Sequence, residues 1–278
     1  MQRITISHAL TIACRDIDRV DAHMLLQHVL DATHAHLLTY PDQILSAQQL
    51  EEFRRLVERR IGGTPIAYLT GKRDFYDVTF KVNEAVLIPR PETELLVDLA
   101  LQLIPLNQTF RVLDLGTGSG AIAITLAKHR PQSQVTAVDL SLAAIAVAQW
   151  NAQNLRIRNL HFVTGSWFDE LSGEKFDLIV SNPPYVAHGD PHLQRGDLRF
   201  EPQMALSARD EGLSCINHII HKAPDHLVEN GWLLLEHGYD QAFACRQLLQ
   251  NRDFSNICSH PDLAGIMRVS GGRLNFLK

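Results

Sequence analysis

The chain has 278 residues, a net charge of −5 from 26 basic and 31 acidic side chains, and 45% hydrophobic content. Such a length holds more than one domain and fewer than three, with enough apolar material for a sizeable core. The acidic balance offers no general attraction to polyanions, and Cys14, Cys215, Cys245 and Cys258 lack CxxC spacing, which excludes a zinc or disulfide framework and fits reduced thiols.

Residues 1 to about 60 read as helix, with apolar positions three and four apart at Val20, Met24, Leu25, Val29 and Leu30, then at Leu50, Phe53, Leu56 and Val57. Pro41 and Asp42 interrupt the pattern, and Gly62-Gly63 ends it. The charged run from Glu51 to Arg60 is either a solvated face or a docking face. The expected division is a helical domain over 1–63, a linker with a β-hairpin over 64–90, and a larger domain over 91–278. In the linker, Asp74 to Val82 and Ala85 to Ile88 read as two strands around a turn at Asn83-Glu84. Pro91 and the carboxylates of Glu92 and Glu94 suit a helix start, where they and Arg90 either cap the helix or back a site.

The larger domain opens with a strand, Arg111 to Leu115, a turn, Gly116-Thr117-Gly118-Ser119-Gly120, and an apolar helix from Ala121. Strand, glycine turn and helix together make a nucleoside-type ligand the expectation, since glycine allows close backbone approach and the loop N–H groups donate. The next strand ends in Asp139, placed for ribose hydroxyls. The spacing GxGxG, with Asp114 two residues ahead of it to hold a cationic amino group, favours S-adenosylmethionine over a dinucleotide. Trp167, in the loop after the strand His161 to Val163, suits adenine stacking and equally a core anchor.

A further apolar strand, Phe176 to Val180, delivers Ser181-Asn182-Pro183-Pro184-Tyr185 to the same rim of a parallel sheet. An amide or exocyclic amine has its lone pair drawn into a π-system, so it attacks carbon only when its hydrogens are held and its nitrogen aimed. Asn182 offers a side-chain oxygen, Pro183 a carbonyl, the prolines a stiff turn, and Tyr185 a ring to cover the flat group. Asn182, Pro183 and Tyr185 are the expected catalytic residues; Pro184 completes the acceptor site. Residues 186–212 form a loop long enough for a lid. A helix from Gly212 to Val228, a strand from Gly231 to Glu236, a helix from Asp240 to Gln250 and closing strands near Phe254 to Cys258 and Ile266 to Val269 complete a seven-stranded Rossmann-like α/β sheet with an antiparallel edge.

From about Pro65 to Val269 the sequence resembles the HemK/PrmC family of protein glutamine methyltransferases. The resemblance rests on Pro65 to Gly71, Phe75-Tyr76, Val86 to Leu96 (VLIPRPETELL), Asp114 to Gly120, Ser181 to Tyr185, Glu201-Pro202 and Asp262 to Gly265. The tetrapeptide alone is shared with adenine-amino methyltransferases; VLIPRPETELL is the more specific segment, and it favours release factor enzymes over those acting on a ribosomal protein. The resemblance implies methylation of the glutamine in the Gly-Gly-Gln loop of bacterial peptide chain release factors, and it assigns substrate recognition to the helical domain over 1–63. It places the methionine end of the cofactor at Gly116, Thr117, Gly118, Ser119 and Gly120, ribose at Asp139, adenine near Trp167, and the substrate glutamine at Asn182 to Tyr185. No metal, membrane or direct nucleic-acid partner is expected. No signal-peptide pattern or apolar span of about 18 residues is present, so a cytoplasmic location is expected. Met267 departs from the family pattern of an acidic residue before Arg268, which touches only an ion pair near the edge hairpin. The rival readings are a glutamine methyltransferase of a ribosomal protein, a nucleic-acid exocyclic-amine methyltransferase, a non-catalytic binding module and a nicotinamide oxidoreductase.

Overall fold

A computed structural model describes residues 3–275. Two compact units are present: one runs to Lys72 and takes in Arg195–Phe200, and the other comprises Arg73–Gln194 with the chain from Glu201 onward.

The first unit consists of α1 (Ile6–Ala13), α2 (Arg19–Leu30), α3 (His34–Thr39), α4 (Ala47–Ile61) and α5 (Ile66–Thr70). Short polar side chains start the helices: Thr5, Asp18, Thr33 and Ser46 each accept a backbone N–H of the first turn, and Ser46 with Gln49 forms a reciprocal capping box. The apolar faces close on Ile6, Leu25, Leu26, Phe53 and Leu56, and Leu69 of α5 joins that core. The helical unit therefore extends past the glycine pair at which the sequence pattern ends. Arg60 binds Asp21 at 2.7 Å and Asp197 at 3.3 Å, while Arg199 donates to the Gly62 carbonyl at 2.8 Å.

The second unit begins with a hairpin of β1 (Lys72–Phe75) and β2 (Val78–Lys81). This corrects the expected strand boundaries and turn. The turn lies at Tyr76-Asp77, where Tyr76 has φ +56° and is held by Glu94, which accepts its N–H at 2.8 Å, and by Asp98, which accepts its hydroxyl at 2.7 Å. Burying Phe75 against Phe80 edge-to-face at 6.1 Å sets that register, and Ala85–Ile88 is left as an irregular segment. After α6 (Glu94–Leu103), the elements β3 (Arg111–Leu115), α7 (Ala121–His129), β4 (Gln134–Asp139), α8 (Leu142–Asn154), β5 (Leu160–Thr164) and β6 (Phe176–Ser181) follow close to their expected positions.

The long segment after β6 is more ordered than a bare loop: β7 (Val186–Ala187) pairs in parallel with β8 (Ser207–Ala208), with α9 (Gln203–Leu206) between them. Next, α10 (Ser214–Lys222) stops short of the expected Val228, because Pro224 leads a tight turn and β9 already starts at Leu227 (Leu227–Glu236). Finally come α11 (Ala242–Gln250), β10 (Phe254–Pro261) and β11 (Met267–Leu274).

The seven-stranded sheet has the order β10-β11-β9-β6-β3-β4-β5, parallel except for the β10–β11 edge. The chain winds outward from β3 through β4 to β5 and then returns to β6 on the other side of β3. Between β3 and β6 lies the topological switch point, where loops at the strand ends diverge and leave a crevice. Covered on both faces, the central strands are continuous apolar runs, with Leu113, Leu115, Ile179, Leu233 and Leu235 in one core. Among the described residues no helix is long and apolar enough to cross a membrane.

Candidate active site

The glycine turn after β3 is built by conformations that L side chains rarely adopt: φ is +75° at Gly116, +56° at Gly118 and +83° at Gly120. A Cβ on Gly120 would lie 2.7 Å from Ile124 Cδ1, so that glycine lets α7 pack beneath the turn. A Cβ on Gly118 would meet nothing within 4 Å and would project into open cleft. The backbone N–H groups of Gly116 and Thr117 donate to the Val138 carbonyl, at 2.9 and 3.0 Å, which clamps the turn to β4.

Asp139, at the end of β4, lines the cleft. Its carboxylate accepts the Gly118 N–H at 2.8 Å and the Ser141 N–H at 2.9 Å. Burial raises its pKa, and those two N–H bonds oppose the rise. Trp167 lines the same limb with φ +50° and also packs on the sheet core.

Asp114 stands behind the loop. It is fully buried: one carboxylate oxygen accepts the Thr117 hydroxyl at 2.7 Å and the Ala123 N–H at 3.2 Å, and Oδ1 has no partner. The structure therefore does not bring Asp114 to the cleft surface with Asp139 and Trp167. Burial pushes its carboxyl up to about 7.

The cleft has two limbs. One runs past Val86, Asp139, Ser141, Ser166, Trp167 and Pro184; the other runs past Arg90, Thr93, Thr117, Ser119 and Ile122. Both are bounded by Leu87, Gly116, Gly118 and Asn182, so Asn182 stands where they meet. Asn182 Nδ2 donates to Thr93 Oγ1 at 3.1 Å, which leaves Oδ1 as the free end of the amide. Pro183 is buried beneath it, and the Tyr185 hydroxyl donates to Glu236 Oε1 at 3.2 Å. The carbonyl of Tyr185 accepts from Gln241 Nε2 at 3.0 Å, and a Cβ on Gly212 would fall 2.1 Å from that carbonyl oxygen. Opposite, Arg90 pairs with Glu201, whose other oxygen accepts the Ile88 N–H at 3.1 Å, fastening the segment before α9 to the cleft wall.

Thr93, Glu236 and Gln241 carry this arrangement and are not singled out by the sequence reading. Two had a signal. Thr93 lies inside VLIPRPETELL, and Glu236 is a carboxylate ending the apolar run Trp232 to Leu235 on the rim that holds the other loops.

Glycine turn, acidic strand end and amide-bearing tetrapeptide thus share one crevice, and the chemistry of its donors and acceptors fits S-adenosylmethionine. Residues 93–196 match the methyltransferase small domain, and residues 4–71 match the PrmC N-terminal domain. The release factor glutamine methyltransferase of Vibrio cholerae is 46% identical over 97% of this chain and 97% of its own length. That of Xylella fastidiosa is 48% identical over 95% of this chain and 96% of its own. A methyltransferase from Pyrococcus furiosus shares the fold, with a TM-score of 0.55 at 17% identity over 79% of this chain and 98% of that one. The chain belongs to the release factor glutamine methyltransferase family and is an S-adenosylmethionine-dependent methyltransferase.

Proposed function

We propose that this enzyme methylates the side-chain amide nitrogen of the glutamine in the Gly-Gly-Gln motif of bacterial peptide chain release factors. The observation that carries the reading is Asn182 at the junction of the two limbs, its nitrogen held by Thr93 and its oxygen left to receive an N–H. The names of the similar proteins support the acceptor and the partner. The helical unit, matching the PrmC N-terminal domain, is assigned to holding the protein substrate.

Bound S-adenosylmethionine supplies an electrophilic methyl group. Gly116, Thr117, Gly118, Ser119 and Gly120 shape the turn that holds it, with Asp114 bracing the turn from behind. Asp139 takes the ribose hydroxyls, and Trp167 flanks the adenine. Asn182 Oδ1 and the Pro183 carbonyl accept the two N–H bonds of the substrate amide, and Pro184 with Tyr185 closes over its plane. Acceptors on both hydrogens fix the direction of the nitrogen and stabilise the positive charge that grows there during attack. The amide becomes acidic only as it is alkylated, so its proton leaves late and no strong base is needed beforehand.

The test is transfer of labelled methyl from S-adenosylmethionine to purified release factor, beside the same factor with Gln→Ala in its Gly-Gly-Gln loop. Label on the first and not on the second is expected. Equal labelling of both, or labelling only of ribosomal protein or nucleic acid, would sink the proposal.

A further inference from the structure

Glu236 is a carboxylate at the C-terminal end of β9, 1% exposed, with Oε2 lacking any hydrogen-bond partner. Such a group is costly: an apolar side chain of similar volume would serve the core better, and an unmatched buried oxygen forfeits its hydration. Its neighbours give it a use. The Tyr185 hydroxyl donates to Oε1, and the Thr93 hydroxyl lies against the same carboxylate.

A hydroxyl carries one proton and two lone pairs. The Asn182 NH2 meets the Thr93 oxygen at 3.1 Å, so that oxygen accepts, and the Thr93 proton is left to turn to the Glu236 carboxylate beside it. Reversing the amide would set two oxygens against each other. The direction of Asn182 therefore follows from the network that surrounds it.

We propose that Thr93 and Glu236 are positioning residues of the methyl-acceptor site: Glu236 orients the Thr93 and Tyr185 hydroxyls, and Thr93 in turn pins the Asn182 amide with its oxygen toward the acceptor nitrogen. This rests on the reading that Asn182 receives the substrate amide. It extends the reading from the tetrapeptide to α6 and β9, two elements that meet beneath it. Neither side chain has to touch the substrate; both act by removing the wrong rotamers of groups that do.

The experiment measures kcat and KM for methyl transfer to release factor, with cofactor affinity by titration, for Thr93→Val, Thr93→Ser, Glu236→Gln and Asn182→Ala, and for Thr93→Val combined with Asn182→Ala. Thr93→Val is isosteric and removes only the hydroxyl. It should lower kcat about tenfold to a hundredfold, the scale set by loss of orientation, while cofactor affinity stays at the wild-type value. Thr93→Ser, which keeps the hydroxyl, should restore kcat. Glu236→Gln should lower kcat with the melting temperature and cofactor affinity preserved. In the Asn182→Ala background, Thr93→Val should cause no further loss, because its effect passes through that amide. Wild-type kcat in Thr93→Val, failure of serine to rescue it, or a loss that multiplies with that of Asn182→Ala would overturn the inference alone. A wild-type enzyme that labels no release factor would overturn the functional proposal and this inference with it.

Discussion

Asp114 and Glu236 are both enclosed carboxylates with one oxygen unmatched, yet they serve different ends. Asp114 braces the glycine turn, and its burial gives a signature in the pH dependence of stability. Its pKa rises from 3.8 to about 7 through desolvation, countered by bonds from Thr117 and Ala123. A raised carboxyl binds its proton more tightly folded than unfolded. Its contribution to stability is therefore complete below about pH 4 and is lost as the pH climbs to about 7. Asp114→Asn has no proton to lose, so its stability relative to the wild type should improve steadily over that window. Denaturant unfolding of both proteins at several pH values checks this; a difference independent of pH would show that the carboxyl titrates as it does in the unfolded chain. The motif made Asp114 legible as important, and its position at the strand end was correct. Its burial was not legible, because that depends on how the turn and α7 close over it.

Among the elements, the parallel strands were readable because a strand covered on both faces is apolar at nearly every position: Leu178 to Val180 shows this directly, and Val112 to Leu115 does so around the single carboxylate of Asp114. The hairpin was harder. Val78, Phe80 and Val82 are buried at a spacing of two, but Phe75 and Val78 are three apart, and that break in parity marks the turn. Helix α8 shows a different limit. Its Asn151 is 1% exposed, accepts the Lys81 N–H at 2.8 Å, and donates to the carbonyls of Lys81 and Ser119 at 3.0 and 2.9 Å. One side chain thus ties the hairpin to the glycine turn across separations of 70 and 32 residues, which no local pattern records. Asn151→Ala should strand those backbone groups and cost about 3 kcal/mol, given ~1–3 kcal/mol for each buried group left unsatisfied. The denaturation midpoint reads the loss, and cofactor affinity should fall with it. A midpoint at the wild-type value would mean that the groups find other partners.

Over the whole molecule, each of the two units closes around buried apolar side chains of its own. That a helical domain precedes the seven-stranded α/β domain followed from periodicity, whereas the return of Arg195–Phe200 to the helical unit did not, since nothing in that short stretch states where it goes. Arg60 is the residue that records the return, holding Asp21 of α2, the Thr64 carbonyl and Asp197 together. Arg60→Ala should speed amide exchange in α2, at the end of α4 and in residues 195–200, and leave the seven-stranded sheet as protected as before. Hydrogen exchange read by mass spectrometry decides it. A uniform change over both units would show that they open together.

That return also sets an order of events on the ribosome. The helical core is complete by Leu69, but the carboxylate that Arg60 awaits and the guanidinium that caps the Gly62 carbonyl each lie 137 residues downstream of their partners. At about 5–20 residues per second, elongation separates the two by roughly seven to thirty seconds. A nascent helical unit that closes around its core during that interval would still lack its last polar contacts. Gly63 has no Cβ, and one placed there would lie 1.8 Å from Arg199 Nη2. The effect of a side chain at Gly63 on this contact would be deferred until Arg199 arrived.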